Sequence, residues 1–244
     1  MLVLKLLTTI FAFVFIYVLF LVVCSLVVNP KKEYEHHSRF YRALLNGATA
    51  FAMKIMRIRI HTSGMAKVPE NTKNLLFVSN HRSNFDPIIT WHIFKKWQPA
   101  FVSKADNFKI PIFGRFIRKC CFMAIDRENP RNALKTILNA AELLKKDEVS
   151  IGIYPEGTRS KECKILPFHN GVFKIAQKAN ADIVVLAVSG TEQIHKNYPF
   201  RHTDVYLDVL EVIPAETVRA TKTDAIGERI KTELENHLSK AQEE

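Results

Sequence analysis

The chain opens on an unbroken apolar run. Leu6 to Val28 holds 23 residues without a charge, with Thr8, Thr9 and Ser25 as the clear polar interruptions, and Asn29-Pro30-Lys31-Lys32 follows. As a helix it would be ~35 Å long against a hydrocarbon core of ~30 Å, so it can span a bilayer. A signal peptide is the competing reading, but the run exceeds the usual ~7–15-residue apolar stretch and no small-x-small site precedes the basic flank. Residues 38–61 predict a second helix, with Phe40, Leu44, Phe51, Met53, Ile55, Met56 and Ile58 set among Arg42, Lys54, Arg57 and Arg59. Such a helix can lie in the headgroup layer or pack on the domain as an ordinary amphipathic helix. The two helices could also form a hairpin dipping into one leaflet.

From about residue 70 short apolar runs alternate with longer helical periods. Strands are predicted at Leu75–Ser79, Ala100–Ser103, Cys121–Ile125, Val149–Tyr154, Ile183–Val188 and Val205–Val212. Helices are predicted near Pro87–Lys96, Pro130–Lys146, Gly171–Ala179 and Ala225–Lys240. Asn129 followed by Pro130 is a cap and a first helical residue. Ile226, Ile230, Leu234 and Leu238 form an i, i+4 stripe that would pack on the sheet. The pattern is that of an α/β domain with a largely parallel central sheet flanked by helices. We therefore expect membrane-anchoring helices over 1–62 and an α/β domain over 63–244.

Charge and cysteine content narrow the setting. The formal net charge of +11 attracts polyanions: nucleic acid, anionic lipid or a phosphate-bearing substrate. The four cysteines, Cys24, Cys120, Cys121 and Cys163, show no metal-ligand spacing, so no metal is expected and a reduced compartment is. Lys5 is the one side-chain cation before the apolar run, whereas Lys31, Lys32, Arg39 and Arg42 follow it closely. The positive-inside rule then leaves the bulk of the chain in the cytoplasm.

Candidate chemistry begins at Asn80-His81-Arg82-Ser83-Asn84-Phe85-Asp86, directly after the first domain strand. A neutral imidazole suits proton abstraction near pH 7, and a carboxylate on its other nitrogen would orient it. On a uniform helix the two side chains would stand roughly 140° apart, so they can meet only if His81 lies in the loop or first turn. Two plainer readings remain open at this point: Asp86 as the cap of a helix beginning at Pro87, and His81 as a surface histidine.

A second candidate is Tyr154-Pro155-Glu156-Gly157-Thr158-Arg159, where a strand stops at a Gly-containing loop with an arginine. Backbone N–H groups at Gly157 and a bidentate Arg159 could hold a phosphate; a sharp surface turn is the plain reading. Between the two motifs, residues 104–119 interleave aromatic and aliphatic groups with five cations. That segment could face a membrane, an acidic ligand or single-stranded nucleic acid, and the N-terminal anchor favours lipid over nucleic acid. Arg127, in Ile125-Asp126-Arg127, adds a cation at a strand end, where α/β folds assemble sites.

Together His81-Arg82-Ser83-Asn84-Phe85-Asp86 and Pro155-Glu156-Gly157-Thr158-Arg159 resemble the N-H-x-x-x-x-D and F-P-E-G-T-R motifs of the 1-acylglycerol-3-phosphate O-acyltransferases, with Tyr154 in place of the usual Phe. The resemblance covers roughly residues 70–190. The intermediate K-x-E-L…P-x-x-G stretch is matched loosely, by Lys104-Ala105-Asp106-Asn107 with Pro111 and Gly114. The family's later apolar strand is present over Ile183–Val188 without its proline.

The resemblance implies that His81 deprotonates the sn-2 hydroxyl of lysophosphatidate while Asp86 orients the ring. It implies that Lys104, Arg127 and Arg159 hold the phosphate, with Glu156, Gly157 and Thr158 shaping that loop. No cofactor is implied beyond a thioester co-substrate, acyl-CoA or acyl carrier protein, and the partner surface is a phospholipid bilayer. The place implied is a cell membrane, most simply a bacterial inner membrane, with the domain on its cytoplasmic side.

Overall fold

The computed structural model describes residues 1–240. Helices α1 (Leu2–Leu26) and α2 (Arg39–Ile55) lead into β1 (Ile58–Ser63). An alternating stretch follows: β2 (Leu75–Ser79), α3 (Asp86–Ile93), β3 (Ala100–Lys104), α4 (Phe113–Arg118), β4 (Met123–Ile125), α5 (Pro130–Lys145), β5 (Ile151–Ile153), α6 (Lys174–Ala179) and β6 (Asp182–Ser189). Then come α7 (Ile194–Asn197), β7 (Thr203–Ile213), α8 (Ala215–Ala220) and α9 (Thr223–Lys240).

Seven strands form one sheet in the order β1-β7-β6-β2-β5-β3-β4. β6, β2, β5, β3 and β4 are mutually parallel, and β7 pairs antiparallel with β6. β1 runs parallel to β7, so this edge pair opposes the rest. Every residue of β2 is buried, as a parallel strand covered on both faces requires. Its side chains alternate between two cores: Leu76 and Val78 pack with α5, α6 and α9, whereas Leu75 and Phe77 pack with Ile89, Phe94 and the inner face of β7. The stripe of α9 is buried as expected, and Asn129 accepts from the N–H groups of Arg131 and Asn132 to cap α5.

Four differences from the sequence reading have local causes. The helix expected over 38–61 ends at Ile55, because Arg57 adopts φ +53° and the alternation of Ile58, Arg59, Ile60 and His61 becomes the edge strand β1. Residues 58–62 thus lie in the sheet, ahead of the expected boundary. Arg42, counted with the basic residues of α2, turns inward: it is buried, donates to the carbonyls of Pro99 and Cys120, and sits over the Trp91 ring at 4.6 Å. In residues 104–119 two of the three interleaved aromatics face the core, Phe108 and Phe116, with Arg118 over the Phe108 ring, and Phe113 is the exposed one. The helix expected from Gly171 opens as a single tight turn over Asn170–Phe173 before α6.

The first two helices meet the domain differently. α1 is exposed along most of its length and is long and apolar enough to cross a membrane. Only its C-terminal end docks, through Tyr41 Oη to the Cys24 carbonyl (2.7 Å) and Arg115 to the Ser25 carbonyl (2.9 Å). α2 buries Tyr41, Arg42, Leu45 and Met53, and Asn46 accepts from the Trp91 indole of α3 at 2.7 Å.

Candidate functional site

β2 and β5 are parallel neighbours, with Val78 opposite Ile153. His81 and Glu156 each lie three residues beyond that level, so the two motifs leave adjacent strand ends at the same height. This is the carboxyl-end crevice at which open α/β sheets bind ligands. β6 flanks β2 on the other side, with Ser79 opposite Leu186, and brings the following turn at Thr191 to the same rim. Asn80 lengthens that pairing with its side chain, donating to the Val188 carbonyl and accepting its N–H at 2.9 and 2.8 Å.

His81 sits in the loop, before helix α3, and Asp86 opens the first turn of α3 with its carboxylate folded back over residues 81–83. Asp86 Oδ2 accepts from His81 Nδ1, from the Arg82 N–H and from the Ser83 N–H, each at 2.7 Å. Oδ1 accepts from the Thr191 hydroxyl at 2.5 Å. Asp86 is fully buried and carries four donors, whereas the His81 side chain is 18 % exposed. The capping alternative is thereby resolved in part: Asp86 does gather loop N–H groups, and the imidazole is one more donor to the same oxygen. With Nδ1–H given to Asp86, the ring's Nε2 is the nitrogen left to accept a proton.

Glu156 ties the second motif to the first. One oxygen accepts the His81 backbone N–H at 2.7 Å and the other accepts Leu166 N–H at 2.9 Å. The Ser160 N–H donates to the His81 carbonyl at 2.8 Å, and Arg82 reaches the Cys163 carbonyl at 3.3 Å. Glu156 is buried, and that burial raises its pKa against the opposing effect of the two N–H donors. Glu156 thus shapes the loop by fastening residues 81–83 to residues 157–166. Gly157 adopts φ +68°, and a Cβ there would lie 3.1 Å from Nε2 of His169.

From sequence Tyr154 stood in the second motif without a role, and Thr191 was not singled out. The Tyr154 ring stacks on His81 with centroids 4.4 Å apart and planes 24° from parallel. Desolvation, with the Asp86 charge beside it, pushes its phenol well above the ordinary value, so it stays neutral. Its place before Pro155 was a signal; Thr191, a common residue type beyond the motifs, had none.

The acyltransferase family model matches residues 59–189, more than half of the chain. The chain belongs to the acyltransferase family. It is 27 % identical over 232 residues to a 1-acyl-sn-glycerol-3-phosphate acyltransferase of Chlamydomonas reinhardtii, covering 93 % of this chain and 69 % of that one. To the enzyme of that name from Salmonella typhimurium it is 30 % identical over 159 residues, 65 % of this chain and 63 % of that one. To that of Escherichia coli it is 34 % identical over 122 residues, 50 % of this chain and 49 % of that one. A crystal structure of the 1-acyl-sn-glycerophosphate acyltransferase PlsC from Thermotoga maritima shares the fold, with a TM-score of 0.70 at 19 % identity over 93 % of this chain and 89 % of that one.

In this acyltransferase none of Lys104, Arg127 and Arg159 bonds to His81 or Asp86. Lys104 pairs with Asp106 at 2.6 Å; donation from Lys104, then from Lys109, holds the Asp106 carboxyl at about 2. Among the described residues Arg127 and Arg159 make no side-chain hydrogen bond or ion pair; like Thr158, both are exposed. Arg127 lines a cavity of about 350 Å³ together with Gly157, His169 and the apolar side chains of Val102, Ile125 and Ile137. Tyr154 belongs to that wall as well as to the stack on His81. His169 is a further polar group beside the Gly157 turn, missed in the sequence reading because nothing local set it apart.

Proposed function

We propose that the chain transfers a fatty acyl group from a thioester donor to the sn-2 hydroxyl of 1-acylglycerol 3-phosphate, giving phosphatidic acid. The observation that carries this reading is the His81–Asp86 pair at the strand ends, fastened by Glu156 to the loop that holds Arg159. Family membership and the names of the three relatives support it. His81 Nε2 takes the proton of the acceptor hydroxyl as its oxygen attacks the thioester carbonyl carbon. The carbon–sulfur bond then breaks, and the thiolate leaves with the proton returned from the imidazolium. Asp86 offsets the transient positive charge on the ring, and no acyl-enzyme is needed.

Arg127 and Arg159 suit a phosphate of up to two negative charges, since Arg meets phosphate oxygens in a bidentate fork. The apolar cavity beside them suits an acyl chain of donor or acceptor. α1 would anchor the protein in a phospholipid bilayer with the domain on the cytoplasmic side, where an acyl-CoA or acyl carrier protein donor is made. The test crosses lysophosphatidate, glycerol 3-phosphate and a larger-headgroup lysophospholipid with both donor types, using purified protein. Transfer to lysophosphatidate that falls ~10²–10⁴-fold in His81→Ala supports the reading. Absence of His81-dependent transfer in every pairing would falsify it, and preference for another acceptor would change the substrate.

A further inference from the structure

α2 carries an apolar stripe that the described residues leave largely exposed, with Phe40 meeting Phe20 of α1 edge-on at one end (centroids 6.4 Å). Phe40, Phe51 and Ile55 are 49 %, 67 % and 47 % exposed, on the side opposite Tyr41, Arg42, Leu45 and Met53. Phe40 and Phe51 share one face because eleven residues make close to three full turns. At the far end of the stripe, Arg57 leaves the helix and takes hold of another segment. Its guanidinium donates to the carbonyls of Pro199 and Phe200 at 3.2 Å each and lies 3.0 Å from His202 Nε2. The backbone adds Thr203 N–H to the Arg57 carbonyl and Arg201 N–H to the Asn197 carbonyl. Asn197 also bonds the Thr203 hydroxyl.

The segment held in this way presents Phe200, 86 % exposed, next to Tyr198 at 41 %. An exposed phenylalanine on a loose loop needs no explanation, but here at least six hydrogen bonds or close polar contacts fix the backbone that displays it. The charge around it is predominantly positive, with Asp204, paired to His61, as the neighbouring carboxylate. From Arg39 to Pro69 there is no carboxylate, and none from Gln193 to Thr203, while Lys54, Arg57, Arg59, Lys196 and Arg201 are exposed cations. Apolar side chains flanked by an excess of cations match the boundary between anionic headgroups and acyl chains.

We propose that Phe200 is a membrane wedge, continuing the apolar stripe of α2 and entering an anionic phospholipid surface beneath the cations Lys54, Lys196 and Arg201. A single helix such as α1 leaves the domain free to turn about its axis. A second contact, at the other end of α2 some ~25 Å away by helix rise, fixes which side of the domain faces the lipid. The inference does not depend on the reaction catalysed.

The test places a reporter at Phe200 in the full chain. The native Trp91 and Trp97 are buried, so added emission from Phe200→Trp can be read over wild type after reconstitution into phosphatidylcholine vesicles with and without phosphatidylglycerol. Phe51→Trp serves as a second reporter on the stripe. The expected result is blue-shifted emission from Phe200→Trp, quenched at least twofold when brominated lipids replace ordinary ones, with stronger quenching in the anionic vesicles. Lys196→Ser/Arg201→Ser in the same background should lose that anionic enhancement. Unquenched, water-like emission in every vesicle overturns the proposal. So does a blue shift without lipid quenching, which would mean that a second copy or another protein covers Phe200.

Discussion

Glu156 Oε1 accepts the backbone N–H of His81 at 2.7 Å, so a carboxylate from one motif sets the height of the imidazole in the other. Its second oxygen holds Leu166 N–H in the same way. Glu156→Gln keeps the size but turns an amide NH2 toward one of these two buried donors. An unpaired buried donor costs ~1–3 kcal/mol. We expect a lowered melting temperature and a kcat reduced at least ~10-fold, with the KM for the acceptor changed little, because the residue positions His81 rather than meeting substrate. A wild-type-like kcat in Glu156→Gln, or a raised KM with kcat unchanged, would each count against this.

Asp86 is held in turn by Thr191, which is fully buried. Asp86→Asn can keep an oxygen toward His81, Arg82 and Ser83 and present its NH2 to the Thr191 hydroxyl. The fold should survive, while the loss of negative charge lowers kcat by ~10² or more. Thr191→Val removes one hydrogen bond of ~1 kcal/mol, which corresponds to a ~3–10-fold lower kcat. Steady-state kinetics on both variants, with circular dichroism to verify folding, decides whether this third partner matters.

Stacking is the part Tyr154 plays toward His81, and its hydroxyl meets Thr90 at only 3.4 Å. Tyr154→Phe keeps the ring and should stay within ~2-fold of wild type. Tyr154→Leu removes the flat face, and an aromatic pair of ~0.5–1.5 kcal/mol converts to a ~2–10-fold loss in kcat. If Phe and Leu behave alike, the ring is not what holds the imidazole.

Acid should loosen the joint between α1 and α2. Burial and then the Arg42 guanidinium push His37 below the ordinary histidine value, so at neutral pH its ring meets Glu148 as an N–H donor, at 2.6 Å. Burial opposes ionisation of Glu148, but the His37 backbone N–H and the rings of His36 and His37 outweigh it and hold the pKa at about 2. Both groups are therefore depressed in the folded state. The unfolded chain takes up protons first, at His37 below ~6.5 and at Glu148 below ~4.3, so stability falls with falling pH through those two ranges. Hydrogen exchange at residues 36–41, corrected for its intrinsic pH dependence, should show protection dropping below pH ~6 and again toward pH ~4. Constant protection over that span would remove the assignment.

What could be read from the chain alone was whatever depends on near neighbours. The buried run Leu75–Ser79, the Asn129-Pro130 start of α5 and the buried stripe of α9 follow from local periodicity and capping, and each stands where the pattern put it. The motif residues were likewise visible, since His, Asp, Glu and Arg at fixed spacing are rare by chance. β1 was lost because its Ile-Arg alternation adjoins a helix of the same composition, and the partner that makes it a strand, β7, lies some 145 residues on. Strand order alone decided the rest. Pairing of β2 with both β5 and β6 brings Glu156 and Thr191, 75 and 105 residues distant, onto His81 and Asp86. That adjacency is set by packing of the whole sheet, which no local stretch encodes. It makes Asp86 a buried hub that holds His81, and Glu156 the fastener between the two motif loops.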